Sequence, residues 1–426
     1  MKHFAKVIGT CALAATLCIA GVGCGEPEDP NAPVTIDFWY GYTGAVDTAN
    51  KALVDEFNET VGKEKNITVV ATPQPSVTDT ANQLSTAIQG GTQPDVVALD
   101  TAYLYRFLED GALESLDGFA EADKDTYDLD DFYEGFMRDA YYDGELYSVP
   151  FLKSTPVLYV NKDLLTQAGL TTDDLATWDG FFDACSTVHT ETGMLGTISF
   201  TWMWLYNSIM LSYGTSVFND EMTKTNIASD ASKNIINNYL DLKEEGAASL
   251  IVSENHLTTI VGGFTQKKMC MFFYSTGGLT TIQSYAQKAG IELAVCPMPK
   301  GTQQATVSGG ANLVVPVGNS NREKSAAWEF IKFMTSKENT IELSTATGYL
   351  PTRESATSDA VMTEFYSKNP AFKVAADQLP YVKGKTVPDG EASNSVLDAL
   401  DAIWVSGADV DTTLADAAKK VEDLLK

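Results

Sequence analysis

The stretch between residues 34 and 100 leaves the chain little choice of fold. Val34-Thr35-Ile36-Asp37-Phe38-Trp39-Tyr40 alternates apolar and polar side chains with the period of two that a strand requires, and Gly41 closes it. Residues 45–60 place Val46, Ala49, Leu53 and Phe57 at helical spacing, and Ile67 to Ala71 is a β-branched run that ends before Pro73. A second helical stretch, carrying Ala81, Leu84 and Ile88, stops at Gly90-Gly91, and Asp95-Val96-Val97-Ala98-Leu99-Asp100 reads as a further strand. Strand, helix, strand, helix, strand predicts a parallel α/β sheet with a helix packed on each face.

The remaining pattern calls for more than one such unit. Residues 110–147 are acidic and Tyr-rich. Val157-Leu158-Tyr159-Val160-Asn161 is a strand, and a mostly helical region with short strands runs to about residue 300. Met269-Cys270-Met271-Phe272-Phe273-Tyr274 is an apolar run of strand length, stopped by Ser275-Thr276-Gly277-Gly278. Ala311 to Val317 is another strand, followed by a helix with Ala327, Phe330, Ile331 and Met334 on one face, and residues 395–425 form a helical, amphipathic tail. A chain of 426 residues is too long for one ordinary core, so two domains of similar size are expected. With 44% hydrophobic and 20% charged residues the chain is of ordinary globular composition. Its formal net charge of −28 repels nucleic acid and anionic lipid.

The first residues read as a targeting segment. Lys2 and Lys6 precede an uncharged apolar stretch, Val7 to Val22, that is short for a membrane span. It ends in Gly21-Val22-Gly23-Cys24 and turns abruptly polar. This junction resembles the lipobox of bacterial lipoproteins, although Gly21 stands where that pattern prefers Leu. The resemblance implies that residues 1–23 are a signal peptide and that Cys24 carries a lipid. Residues 24–33, acidic and Pro-rich, would then tether the folded body to a membrane. Cys185, Cys270 and Cys296 lie in apolar surroundings. Each reads as a buried small hydrophobe, with one disulfide among them left open.

No phosphate loop, GxGxxG, GxSxG or HExxH pattern occurs, and the two isolated histidines that follow the leader, His189 and His256, do not make a metal site. Catalytic residues, a metal and a cofactor are therefore not expected. A pair of carboxylates for an exported glycosidase could be picked from 57 acids without meaning anything. The aromatics are more telling. Trp39 and Tyr42 stand at the end of the first strand, Trp202 and Trp204 follow the Thr197–Phe200 strand, Tyr274 ends its strand, and Tyr349 follows a helix. Ligands of open α/β sheets bind at the carboxyl ends of strands. Aromatic rings there can cover the apolar faces of a sugar while hydroxyls and carboxylates bond its rim.

In order along the chain, Ile36-Asp37-Phe38-Trp39, Leu53-Val54-Asp55-Glu56-Phe57-Asn58, Ala87 to Val97, Asp143-Gly144 to Val149-Pro150-Phe151, and Ser154-Thr155-Pro156-Val157-Leu158-Tyr159-Val160-Asn161-Lys162-Asp163-Leu164 resemble the family 1 extracellular solute-binding proteins of ABC importers. Ala168-Gly169-Leu170, Thr177-Trp178, Gly309 to Val315, Ala327 to Phe333 and Thr347 to Pro351 continue the match. The resemblance implies a two-lobe, type II periplasmic-binding-protein-like α/β fold with the ligand in the cleft and chain crossings as hinge. Lobe one would take 34–149 with 302–352, and lobe two 150–301 with 353–426. It implies ligand contacts at Ser154, Ser275 or Thr276, Gly310 and Tyr349, with Asp100, Trp39, Tyr42, Trp202 and Trp204 as looser assignments. It further implies an exported monomer that serves the permease subunits of an importer, outside the cytoplasmic membrane or in a periplasm. Within the family the chain is most similar to the glycerol-3-phosphate type, which carries a late Arg for the phosphate. The loop Tyr381 to Gly390 has no Arg, only Lys383 and Lys385. A neutral sugar or oligosaccharide is the expected solute. A phosphate compound and a sensor role that feeds a receptor are the alternatives.

Overall fold

The computed structural model describes residue 29, residues 31–252 and residues 256–426. The leader, Cys24 and most of the tether lie outside the described residues. The chain opens with β1 (Val34–Tyr40), α1 (Ala45–Glu59), β2 (Ile67–Pro73), α2 (Val77–Gly90), β3 (Val96–Asp100) and α3 (Thr101–Glu109). Both β2 and β3 run parallel to β1. Helix boundaries follow local chemistry. Ser76 caps α2 by accepting the Asp79 N–H, and Gly91 ends it in the left-handed conformation. Farther on, Asp143 and Gly144, both at positive φ, turn a short hairpin.

β4 (Ser148–Ser154) is wholly buried and leads into β5 (Pro156–Asn161). After α4 (Trp178–Thr192) come β6 (Leu195–Phe200), α5 (Met203–Ser212), β7 (Ala248–Ile251), β8 (Met269–Ser275) and β9 (Leu293–Cys296). β10 (Gly309–Val314) returns to the first sheet, whose order is β2-β1-β3-β10-β4. The second sheet is ordered β9-β5-β8-β6-β7. The strand–helix reading of residues 34–100 is borne out in the parallel strands β2, β1 and β3; β10 adds antiparallel to β3 and β4 antiparallel to β10, so the first sheet is mixed, and the second is mixed as well. β4 stays in the first sheet as far as Ser154, paired with Gly309. The passage between sheets therefore falls at Thr155 and not at 149–150, because the ladder to β10 continues for the whole strand.

Each sheet has its own core. Phe38, Phe57, Phe151, Trp328 and Phe330 fill one side of the first. Trp178, Phe181, Phe182, Tyr239 and Phe273 fill one side of the second. The helical tail is made of two helices, α6 (Glu391–Trp404) and α7 (Val410–Leu424). Gly407 adopts φ 74 between them and Asp409 caps the second by accepting the Thr412 N–H. Val396, Leu400, Ile403 and Trp404 close the second core.

Cys185, Cys270 and Cys296 are free and buried. Burial pushes the thiols of Cys270 and Cys296 up to about 12 and that of Cys185 up as well, so the reactive thiolate is suppressed. A chain produced without residues 1–24 should leave all three thiols unlabelled by an aromatic disulfide reagent at pH 8. Three should react on unfolding in guanidinium, and rapid native labelling would show that the cores open.

Candidate functional site

The carboxyl ends of the strands meet between the two sheets, around a cavity of about 310 Å³. From the first sheet come Tyr42 beyond β1, Asp100 ending β3, Ser154 ending β4, and Gly309 and Gly310 opening β10, with Ala102 and Tyr103 from α3. β10 is antiparallel to β3 and β4, so its first residues lie beside the last residues of those strands: Ala311 opposite Asp100, Gly309 opposite Ser154. From the second come Ser275, Trp202, Met203 and Trp204. Gly310 has no alternative: its φ is 95, and a Cβ there would lie 1.9 Å from the Leu152 carbonyl oxygen.

Aromatic rings form the apolar walls. Trp202 stacks on Phe200 at 5.4 Å and 19°, with Trp204 at 4.8 Å and Tyr274 at 5.6 Å. Trp204 donates its indole N–H to the Ser308 carbonyl at 2.8 Å, and its ring lies where a Cβ on Gly309 would fall, 2.8 Å away. Tyr42 and Tyr349 meet edge to face at 5.8 Å and 85°. Tyr349 also covers Gly277 so closely that a Cβ there would lie 2.7 Å from its ring. The two glycines let rings from one side of the cleft rest on backbone from the other.

The polar groups are acids and hydroxyls. Asp100 caps α3 by accepting the Ala102 N–H at 3.0 Å, and burial pushes its carboxyl up to about 6. Ser275 accepts the Gly277 N–H, which orients its hydroxyl at the end of β8. A strap, residues 382–389, passes between the two sides. The Thr386 N–H and hydroxyl donate to Asp139 at 3.0 and 2.7 Å, and the Asp389 N–H donates to the Ala102 carbonyl at 2.7 Å. These bonds put Thr386, Val387, Pro388 and Asp389 on the cavity. A second cavity of about 390 Å³ lies behind the strap, lined by Tyr105, Arg138, Asp143, Phe218, Lys383 and Lys385 among others.

Of the residues read from the sequence, Tyr42, Asp100, Ser154, Trp202, Trp204, Ser275, Gly310 and Tyr349 line the first cavity. Trp39, Tyr274 and Thr276 are not among its lining residues. Strand alternation turns Trp39 to the opposite sheet face, where it packs with Leu84, Val97 and Leu104. Tyr274 supports Trp202. Thr276 is fully buried, accepting the Thr155 N–H at 3.2 Å. Tyr103, Asp389, Ser393, Asn394 and Leu397 also line the cavity and were not foreseen as site residues. Tyr103 could have been found by helical spacing from Asp100. The others arrive through a fold-back of nearly three hundred residues that leaves no local signal.

A family model described as bacterial extracellular solute-binding protein matches residues 52–374. The sn-glycerol-3-phosphate-binding periplasmic protein UgpB of Rhizobium meliloti is 26% identical over 356 residues, 80% of either chain. The crystal structure of UgpB from Mycobacterium tuberculosis in complex with glycerophosphocholine superposes with a TM-score of 0.79 at 25% identity, covering 92% of this chain and 98% of the other. The GacH receptor of Streptomyces glaucescens, solved unliganded and with acarbose, superposes with a TM-score of 0.79 at 20% identity over 92% of this chain and 98% of its own.

Replacing Trp202 or Trp204 by Ala should weaken solute binding by about 1–3 kcal/mol, measured by calorimetric titration, through the loss of an aromatic contact. Unchanged affinity in both variants would remove them from the site.

Proposed function

Because the chain belongs to the bacterial extracellular solute-binding proteins, whose model spans residues 52–374, we propose that its cleft captures a sugar or oligosaccharide without a phosphate and presents it to an ABC importer. The observation that carries this reading is the lining of the first cavity. Rings of Tyr42, Tyr103, Trp202, Trp204 and Tyr349 offer flat apolar faces, and Ser154, Ser275, Thr386, Asp100 and Asp389 offer the hydrogen bonds that a rim of hydroxyls needs. The volume suits a small solute.

Relatives named for glycerol 3-phosphate favour a phosphate ligand, and a second observation supports the sugar instead. No Lys, Arg or His is among the residues that line this cavity, while two carboxylates are. A phosphate would meet like charge with no bidentate partner. Arg353, the late arginine that follows the Tyr349 loop, is buried and occupied: it donates to the Thr335 and Asp128 carbonyls and pairs with Asp131 at 3.2 Å. Family membership makes the protein an exported one that works with permease subunits. Attachment through a lipid on Cys24 rests on the sequence alone, as do the lobe limits: 34–149 with 302–352, and 150–301 with 353–426, the first crossing better taken after Ser154.

Solute closes the lobes by binding one arrangement better than the other, so it also raises the melting temperature. In a thermal-shift screen over mono- and oligosaccharides, glycerophosphodiesters and polyamines, a saccharide should give the largest rise. An unmoved transition across every carbohydrate would sink the sugar reading. Separately, Cys24→Ser should move the protein from the membrane fraction to the soluble one; a variant that still pellets with membranes would place the attachment elsewhere.

A further inference from the structure

The charge inside the cleft is more specific than a sugar site needs. Asp100 lies deep at the end of β3, and Asp389 stands at the rim, on the strap that its own N–H ties to Ala102. Burial raises the Asp100 carboxyl most; the Ala102 N–H and the Lys153 charge lower it, and Asp139 and then Asp389 raise it. Neither Asp100 nor Asp389 is neutralised from within the cavity. Lys153, next to Ser154, points to the other face of β4: its ammonium donates to Asn312 at 3.3 Å and lies 5.7 Å from the Phe136 ring centroid, inside the protein. Burial holds Lys153 below its ordinary value, and it offsets at most one of the charges of Asp100, Asp139 and Asp389. The Arg106 guanidinium is 5.3 Å from the Tyr103 ring centroid and 5.0 Å from that of Phe107, one helical turn away from the cavity lining. Among the described residues only the Ala102 N–H bonds Asp100, so its second oxygen is left for a donor in the cavity.

We propose that the solute is a saccharide carrying a protonated primary amine, held by Asp100 and Asp389 with its ring against the aromatic walls. This rests on the cleft being the sugar site and narrows its class. An ammonium supplies three donors and the charge that the two carboxylates lack, and such charge-assisted bonds are about twice as strong as neutral ones. The surrounding tyrosine and tryptophan faces also favour a cation. N-acetylation would remove the charge and keep the ring. A phosphate would add the wrong one.

The test is a calorimetric series on the full-length mature protein at pH 7 with matched sets: glucose, glucosamine, N-acetylglucosamine and glucose 6-phosphate, the galactose counterparts, and cellobiose beside its diamino analogue. The amine should bind at least about tenfold tighter than its neutral parent in one set, a difference of about 1.4 kcal/mol. That ratio should collapse in both Asp100→Asn and Asp389→Asn, with melting curves checking that each variant folds. It should also shrink at pH 5 in the unaltered protein, since the Asp100 carboxyl, raised to about 6, is then protonated and attracts no cation. The amine against N-acetyl comparison in the unaltered protein decides even if a variant fails to fold. A neutral parent or N-acetyl sugar binding as tightly as the amine overturns the amine claim and leaves the sugar site standing, whereas a sugar phosphate binding as tightly overturns the phosphate-free reading as well. No binding by any saccharide overturns both.

Discussion

Two sheets that share a cleft must be joined without filling it, and the joint here is a few backbone residues fixed by hydrogen bonds. Where β4 leaves the first sheet, the Thr155 N–H donates to the Thr276 hydroxyl at 3.2 Å, and the Thr276 N–H returns to the Thr155 carbonyl at 3.0 Å. Gln378, itself buried, donates to the Thr155 hydroxyl and the Pro156 carbonyl and accepts the Met298 N–H at 2.7 Å. Four distant parts of the chain are thereby gathered at one point. The loss of any partner would leave buried polar groups without a bond, so the joint is specified as tightly as a core. Everything that faces the cavity, from Ser154 on one side to Ser275 on the other, takes its position from it.

Much of the fold was legible because its signals are local. Period-two and period-3.6 patterns with β-branched runs marked β1, α1, β2, α2 and β3, and the apolar run of β8 read as a strand from its length and the Ser275–Gly278 stop. Those same strand ends delivered Tyr42, Asp100, Ser154 and Ser275 to the cavity, since β1, β3, β4 and β8 all run toward the cleft, whereas the antiparallel β10 meets it with its first residues. What sequence could not give were the features set by pairing at long range. Strand alternation was readable at Trp39, yet which face of β1 looked on the cleft depended on where α2 packed. Asp389 reaches the site only because Thr386 is bonded to Asp139 and Asp389 to Ala102. The break in the tail at Gly407 needed the left-handed turn to be seen, as helical periodicity carries across it.

The electrostatics of the cleft run against the names of several relatives. The aromatic faces alone would suit many solutes, and it is the unbalanced carboxylates that separate one class from another. A site of this kind discriminates partly by repulsion, since an anionic competitor must displace water from Asp100 and Asp389 without gaining a partner. The overall acidity of the chain works in the same direction at longer range.

The three cysteine thiols of the folded body carry a further consequence. Each is sealed inside a core and none is linked to another. A receptor that works outside the cytoplasm meets oxidants and reductants that it does not control. Packing, hydrogen bonds and ion pairs hold this one together without a link among these three thiols, so the described fold does not depend on oxidising them.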